Sequence, residues 1–127
     1  MARVLVADDE ADIRSLVAFT LRRRGHEVVE AKDGTEALKL IRRAPPDLAV
    51  LDVMMPGLSG LEVARVLAAD SATAAPRVML LSALGQASEI AAGLETGAHA
   101  YLVKPFTPAD LAARVAELLA QAATARR

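Results

Sequence analysis

Four short runs of Val, Leu, Ala and Met each end on a polar residue, and stretches with a helical period lie between them. Arg3-Val4-Leu5-Val6-Ala7 leads into Asp8-Asp9, and Asp47-Leu48-Ala49-Val50-Leu51 leads into Asp52. Arg77-Val78-Met79-Leu80-Leu81 leads into Ser82, and Ala100-Tyr101-Leu102-Val103 leads into Lys104. Runs this short and this evenly apolar suit strands buried on both faces. Strands alternating with helices imply an α/β fold, a parallel sheet with helices on both sides. In an open parallel sheet the carboxyl ends of the strands share one edge, and ligands bind there. Three carboxylates, a hydroxyl and an ammonium, otherwise scattered along the chain, are thereby expected in one crevice.

The segments between the runs supply the helices. Residues around 10–24 carry Ile13, Leu16, Val17 and Leu21 on one face, and Gly25 follows as a C-terminal cap. Residues 27–31 read as a further strand. Asp33 starts a second helix with Glu36 in its first turn and Leu38 and Ile41 on its apolar stripe; Pro45-Pro46 stops it. Ser59 and Glu62 form a capping-box pattern ahead of Val63, Val66 and Leu67. Asp70 to Ala75 is a small polar connection. A weaker helix over about 86–96 turns Ile90 and Leu94 inward, and Gly97 closes it. Thr107-Pro108 is an N-cap with Pro at the first helical position, ahead of Leu111, Val115, Leu118 and Leu119. The result is five βα units in one domain over residues 1–121, followed by a short polar tail or the start of a linker over 122–127.

Composition narrows the function classes. A chain of 127 residues fits one domain that buries roughly two-thirds of its unfolded surface. It has no Cys, which removes disulfide frameworks and thiolate metal sites and fits a reducing cytosol. A net charge of −1 gives no field favouring nucleic acid or an anionic membrane. No apolar run reaches the roughly 20 residues of a membrane span, and Asp8 comes too early for a signal peptide. One Tyr, two Phe and no Trp leave little surface for stacking bases.

The polar run-ends read as phosphoryl-transfer chemistry. Asp8 and Asp9 either cap the first helix or, with Asp52, bind a hard cation such as Mg²⁺, which needs only one or two carboxylates plus phosphate and water. Two unit charges ~4 Å apart at an effective dielectric near 20 interact by about 4 kcal/mol, so a carboxylate cluster without a cation costs stability. Such a cost is expected at functional sites. Asp52 can act as a nucleophile toward phosphorus, and an ordinary carboxyl of pKa ~4 is ionised at neutral pH. Ser82 can donate to a phosphoryl oxygen. Lys104 is a compact cation that offsets carboxylate charge. Taken singly, Ser82 reads as a loop hydrogen-bonder, Lys104 as a solvated charge and Tyr101 as core. His26 and His99 lack a second ligand at metal spacing and read as surface residues.

Val6-Ala7-Asp8-Asp9-Glu10, Leu51-Asp52-Val53-Met54-Met55-Pro56-Gly57, Leu81-Ser82-Ala83 and Tyr101-Leu102-Val103-Lys104-Pro105-Phe106 together resemble the receiver domain of bacterial two-component response regulators, over essentially the whole chain. The resemblance implies a flavodoxin-like three-layer sandwich with strand order 2-1-3-4-5. It implies that Asp52 accepts a phosphoryl group from a sensor histidine kinase or phosphotransfer protein. Asp9, Asp52 and the backbone carbonyl of Met54 then bind Mg²⁺ (with Mn²⁺ as a substitute), Asp8 acts through water, and Ser82 and Lys104 contact the phosphoryl oxygens. A cis Lys104-Pro105 peptide aims the ammonium inward. Ser82 and Tyr101 form the switch: Ser82 is drawn in, and Tyr101 rotates into the space vacated. The surface of the fourth helix, fifth strand and fifth helix changes in response and controls an output domain, a downstream protein or a homodimer contact. The implied protein is a cytoplasmic phosphoacceptor rather than an enzyme acting on other molecules, with no nucleic-acid or membrane contact of its own.

Two departures from the family pattern are visible. Met54 and Leu84, two residues beyond Asp52 and Ser82, are apolar where relatives tend to place polar residues that orient water, so slow self-hydrolysis is expected. His99-Ala100 stands where relatives with winged-helix outputs carry Asp-Asp, and the fourth helix lacks their basic residue. That departure weakens the case for their salt-bridged dimer. Three rival readings fare worse. A haloacid-dehalogenase-type phosphatase needs an acid at Met54, and a P-loop needs Gly where Asp8-Asp9-Glu10 stands. An unphosphorylated interaction module is the remaining alternative.

Overall fold

Side chains alternate across a strand, so a strand covered on both faces must be apolar throughout. In the computed structural model, which describes residues 2–70 and 75–125, the four apolar runs form β1 (Arg3–Ala7), β3 (Leu48–Asp52), β4 (Arg77–Ser82) and β5 (Ala100–Val103), with β2 at Glu27–Ala31. The helices are α1 (Ala11–Arg23), α2 (Gly34–Arg43), α3 (Gly60–Ala69), α4 (Ala87–Glu95) and α5 (Pro108–Ala125). Every strand pairing is parallel and the order is 2-1-3-4-5, the flavodoxin-like arrangement expected.

Alternation divides the core in two. Leu5, Ala7, Ala49, Leu51 and Leu80 face Leu38 and Ile41 of α2 and Val63 and Leu67 of α3. Val4, Val6, Val50, Met79 and Leu81 face Val17 and Leu21 of α1 and Leu111 and Val115 of α5. Each strand thus serves both layers, and the sheet's carboxyl edge stays free for polar groups.

Helix ends follow their signals. Asp33 accepts the Glu36 backbone N–H at 2.8 Å, while Glu36 reaches back to the Lys32 N–H at 3.1 Å. Ser59 and Glu62 form the full capping box. Gly25 has φ +90°, and the His26 N–H returns to the Leu21 carbonyl at 3.2 Å, closing α1 in a left-handed cap.

Two helix faces differ from the sequence reading. Leu16 is exposed, and Ala18 lies inward beside Val17 and Leu21. Leu94 is exposed, and Gly93 faces the sheet instead. The Tyr101 ring occupies the space where a Gly93 side chain would stand: a Cβ there would lie 2.7 Å from Tyr101 Cδ2. The helix can approach the ring only because residue 93 has no side chain. At the C-terminus, α5 runs through Ala125 and buries Ala122, so most of the segment read as a tail continues the helix. Residues 71–74 of the polar connection and residues 126–127 lie outside the described residues.

Candidate functional site

The sheet register brings the polar run-ends together. Asp8 follows β1, and its N–H pairs with the Ala31 carbonyl at 3.2 Å. Asp52 closes β3, Ser82 closes β4, and the Lys104 N–H continues the β4–β5 ladder to the Ser82 carbonyl at 2.8 Å. The Lys104-Pro105 peptide bond is cis. Lys104 Nζ lies 3.2 Å from Asp52 Oδ1, 3.3 Å from Asp8 Oδ2 and 3.7 Å from Glu10 Oε1. Asp8 is fully buried and Asp52 is 3% exposed.

The loop after β3 explains its two methionines. Met55 is buried in the α2–α3 core and anchors the loop, whereas Met54, two residues beyond Asp52, is 67% exposed. Gly60 sits at the start of α3, where a Cβ would collide with the Asp52 backbone carbonyl. Its missing side chain lets the helix start close behind the carboxylate.

Burial dominates the electrostatics of Asp52. Desolvation and the adjacent Asp8 charge raise its pKa, Lys104 pulls it down, and the balance stands at about 6. The sequence expectation of an ordinary carboxyl near 4 is therefore corrected, although a carboxyl of pKa about 6 is still ~90% ionised at pH 7. For Lys104, burial lowers the pKa, but the Asp52 and Asp8 charges outweigh it and the net direction is up. The ammonium stays charged.

Ser82 Oγ accepts the Leu84 N–H at 3.0 Å, and the Leu84 carbonyl accepts the Tyr101 hydroxyl at 2.7 Å. One residue of the β4–α4 loop is thus held from both sides. Tyr101 is 8% exposed, so its ring already lies inward over Gly93.

Asp9 is exposed and stands apart from the carboxylate cluster. Asp8, Glu10 and Asp52 each bring one oxygen within 4.8 Å of the others. This all-oxygen, carboxylate-rich donor set fits a hard divalent cation such as Mg²⁺. Sequence reading gave Glu10 no chemical role. Its only signal was its place directly after the acidic pair, where helix-capping explains a Glu equally well.

His99 is exposed, as expected of a surface residue, but it is hydrogen-bonded to β4, and His26 departs from the expectation. His99 Nδ1 accepts the Val78 N–H at 3.0 Å, and the His99 N–H donates to the Val78 carbonyl at 2.8 Å. His26 is half-buried, and its Nδ1 is shielded from solvent without a hydrogen-bond partner. Burial lowers the pKa of both; the N-terminal charge adds to the effect at His26 and Arg77 at His99.

A parallel 2-1-3-4-5 sheet with a buried Asp–Lys–Asp cluster at its carboxyl edge defines a class, and comparison with known proteins gives the same class. Residues 4–116 match the response regulator receiver domain, and the chain belongs to that family. It is 42% identical over 113 residues to the DNA-binding response regulator MtrA of Mycobacterium tuberculosis, which covers 89% of this chain and 48% of that protein. It is equally similar to the phosphate regulon transcriptional regulatory protein PhoB of Klebsiella pneumoniae, over 89% of this chain and 49% of PhoB. The chain spans about half the length of these relatives. Among solved structures, the chemotaxis response regulator CheY4 of Vibrio cholerae superposes with TM-score 0.87 at 34% identity, covering 93% of this chain and 98% of CheY4. A Francisella response regulator receiver domain gives TM-score 0.89 at 35% identity, covering 95% and 98%. The chain is thus a two-component receiver, a phosphoacceptor switch with an acidic cluster typical of the phosphorylation site. Among the described residues no helix is long and apolar enough to cross a membrane.

Proposed function

We propose that Asp52 takes a phosphoryl group from a phosphohistidine of a sensor histidine kinase or phosphotransfer protein, in a reaction that needs Mg²⁺ or Mn²⁺. The surface of α4, β5 and α5 then controls an output domain or separate partner. The observation that carries this is a buried carboxylate ending a central strand, 3.2 Å from an ammonium that also holds Asp8.

A carboxylate oxygen of Asp52 attacks phosphorus, and the P–N bond to the donor breaks with its electron pair leaving on the imidazole nitrogen. The transition state is loose, so positioning and charge neutralisation carry the rate. Asp9, Asp52 and the Met54 backbone carbonyl would hold the cation, with Asp8 acting through water; Asp9, exposed and outside the carboxylate cluster, would have to turn in to reach it, and the bound ion would shield carboxylate and phosphoryl charge from one another. Lys104 turns its hydrogen bond from Asp52 to a phosphoryl oxygen. The Ser82 oxygen accepts from Leu84, so its own proton is free to serve a second phosphoryl oxygen.

Phosphorylation adds about −1.5 to −2 charges at Asp52. Drawing Ser82 toward them strains its bond to Leu84, and through the Leu84 carbonyl reaches Tyr101 and α4. The response is a population shift, as large as the differential contacts allow.

Incubation with acetyl or carbamoyl phosphate and Mg²⁺, followed by intact mass, should show one phosphate adduct that Asp52→Ala lacks. No adduct on the wild-type protein would sink the proposal and leave an unphosphorylated interaction module.

A further inference from the structure

The acidic crevice holds a carboxylate, Glu10, to which the phosphoacceptor chemistry assigns no role. We propose that Glu10 is a positioning residue of the cation site, a third carboxylate at its mouth that draws in and helps retain the divalent ion. This rests on the cation-dependent reading of the site given above.

Local structure places Glu10 there. The Asp8 Oδ1 atom accepts the Glu10 N–H at 2.9 Å, which folds the chain back just before α1. Glu10 is the N-cap residue of α1, yet its side chain makes no capping hydrogen bond. It reaches Lys104 Nζ instead, at 3.7 Å, and brings an oxygen within 4.8 Å of oxygens on both Asp8 and Asp52. A Glu used only as a helix cap would turn to the free N–H groups of the first turn.

Burial grades from the floor of the site to its mouth. Asp8 and Asp52 are buried, whereas the Glu10 side chain is 62% exposed. An ion pair at 3.7 Å whose carboxylate is 62% exposed contributes little to stability, so folding alone does not account for the placement. Asp8, Glu10 and Asp52 facing one ammonium leave a formal charge of −2 even before Asp9 is counted, a deficit that a divalent cation offsets. Mg²⁺ keeps several of its waters, so an exposed carboxylate at the mouth can act on the hydrated ion without direct ligation. Asp9, next to it in sequence, is exposed too but stands outside this cluster.

The test is Mn²⁺ binding followed by the EPR signal of free Mn²⁺, on metal-free wild-type protein and the Glu10→Gln, Asp9→Asn and Asp52→Asn variants. Glu10→Gln should raise the Mn²⁺ dissociation constant about two- to fivefold at low ionic strength, and the effect should shrink as salt is added, because the charge is exposed. Asp52→Asn should weaken binding more than Glu10→Gln does. Glu10→Gln binding Mn²⁺ as the wild type does, while Asp52→Asn binds it poorly, overturns the role of Glu10 and leaves the cation site standing. Wild-type protein that binds no Mn²⁺ removes the cation reading and the role of Glu10 with it.

Discussion

Asp52 carries the sharpest consequence of burial. Its folded pKa of about 6 lies above the unfolded value near 3.9, so the native state holds the proton more tightly between those values. Stability from this group is fully present below about pH 4 and is lost as pH rises through 6, by up to about 3 kcal/mol. Denaturant unfolding in chelator should therefore show Asp52→Asn gaining on the wild type between pH 4.5 and 7, while a gap of the same size at both values refutes the raised pKa. His26 and His99 act with the opposite sign: their folded pKa values are lowered, so their contribution is present above about 6.5 and lost as pH falls. The comparison with Asp52→Asn cancels them. At Met54, which is largely exposed, an introduced carboxylate could orient water toward an acylphosphate. Met54→Glu should shorten the phosphoryl lifetime, followed by intact mass after the phosphodonor is removed, and an unchanged lifetime would count against the proposed apolar shielding of the acylphosphate.

Among the elements, α1 and α4 are the two whose faces sequence alone misplaced, and α4 is the more informative. Periodicity chose Leu94 because Leu is the apolar residue, and periodicity has no entry for an inward ring on a neighbouring strand. Tyr101 fills the layer, and only Gly93 fits beneath it. Gly93→Ala should therefore push the ring outward at a cost of about 1–3 kcal/mol. Tyr101 is the sole tyrosine and the chain has no Trp, so its fluorescence quenching by acrylamide reports the displacement directly. Unchanged quenching would show that the helix moves and the ring does not. The α3 start was legible in full, because Ser59 and Glu62 satisfy each other's backbone groups within four residues. Ser59→Ala should cost about 1 kcal/mol in chemical denaturation.

For the whole molecule, the sheet and the loop after β4 connect Asp52, the proposed phosphoacceptor, to the face carrying α4. Asp52, Ser82 and Lys104 stand at the carboxyl ends of three adjacent strands, and Leu84 ties Ser82 to Tyr101 under α4. A cation that binds the native crevice and not the unfolded chain stabilises the whole fold by mass action. Mg²⁺ should raise the thermal midpoint of the wild-type protein and raise that of Asp52→Asn by less. Equal gains in the two proteins would place the stabilising ion elsewhere.

The sequence determined the strands, most helix ends and the identity of the polar run-ends, because those depend on spacing, capping chemistry and apolar period within a few residues. The tertiary structure alone decided which acids share the crevice, how far burial lifts Asp52, and that Gly93 rather than Leu94 meets the sheet. These depend on distances between groups far apart in the chain and on the water excluded between them, and no local pattern encodes either.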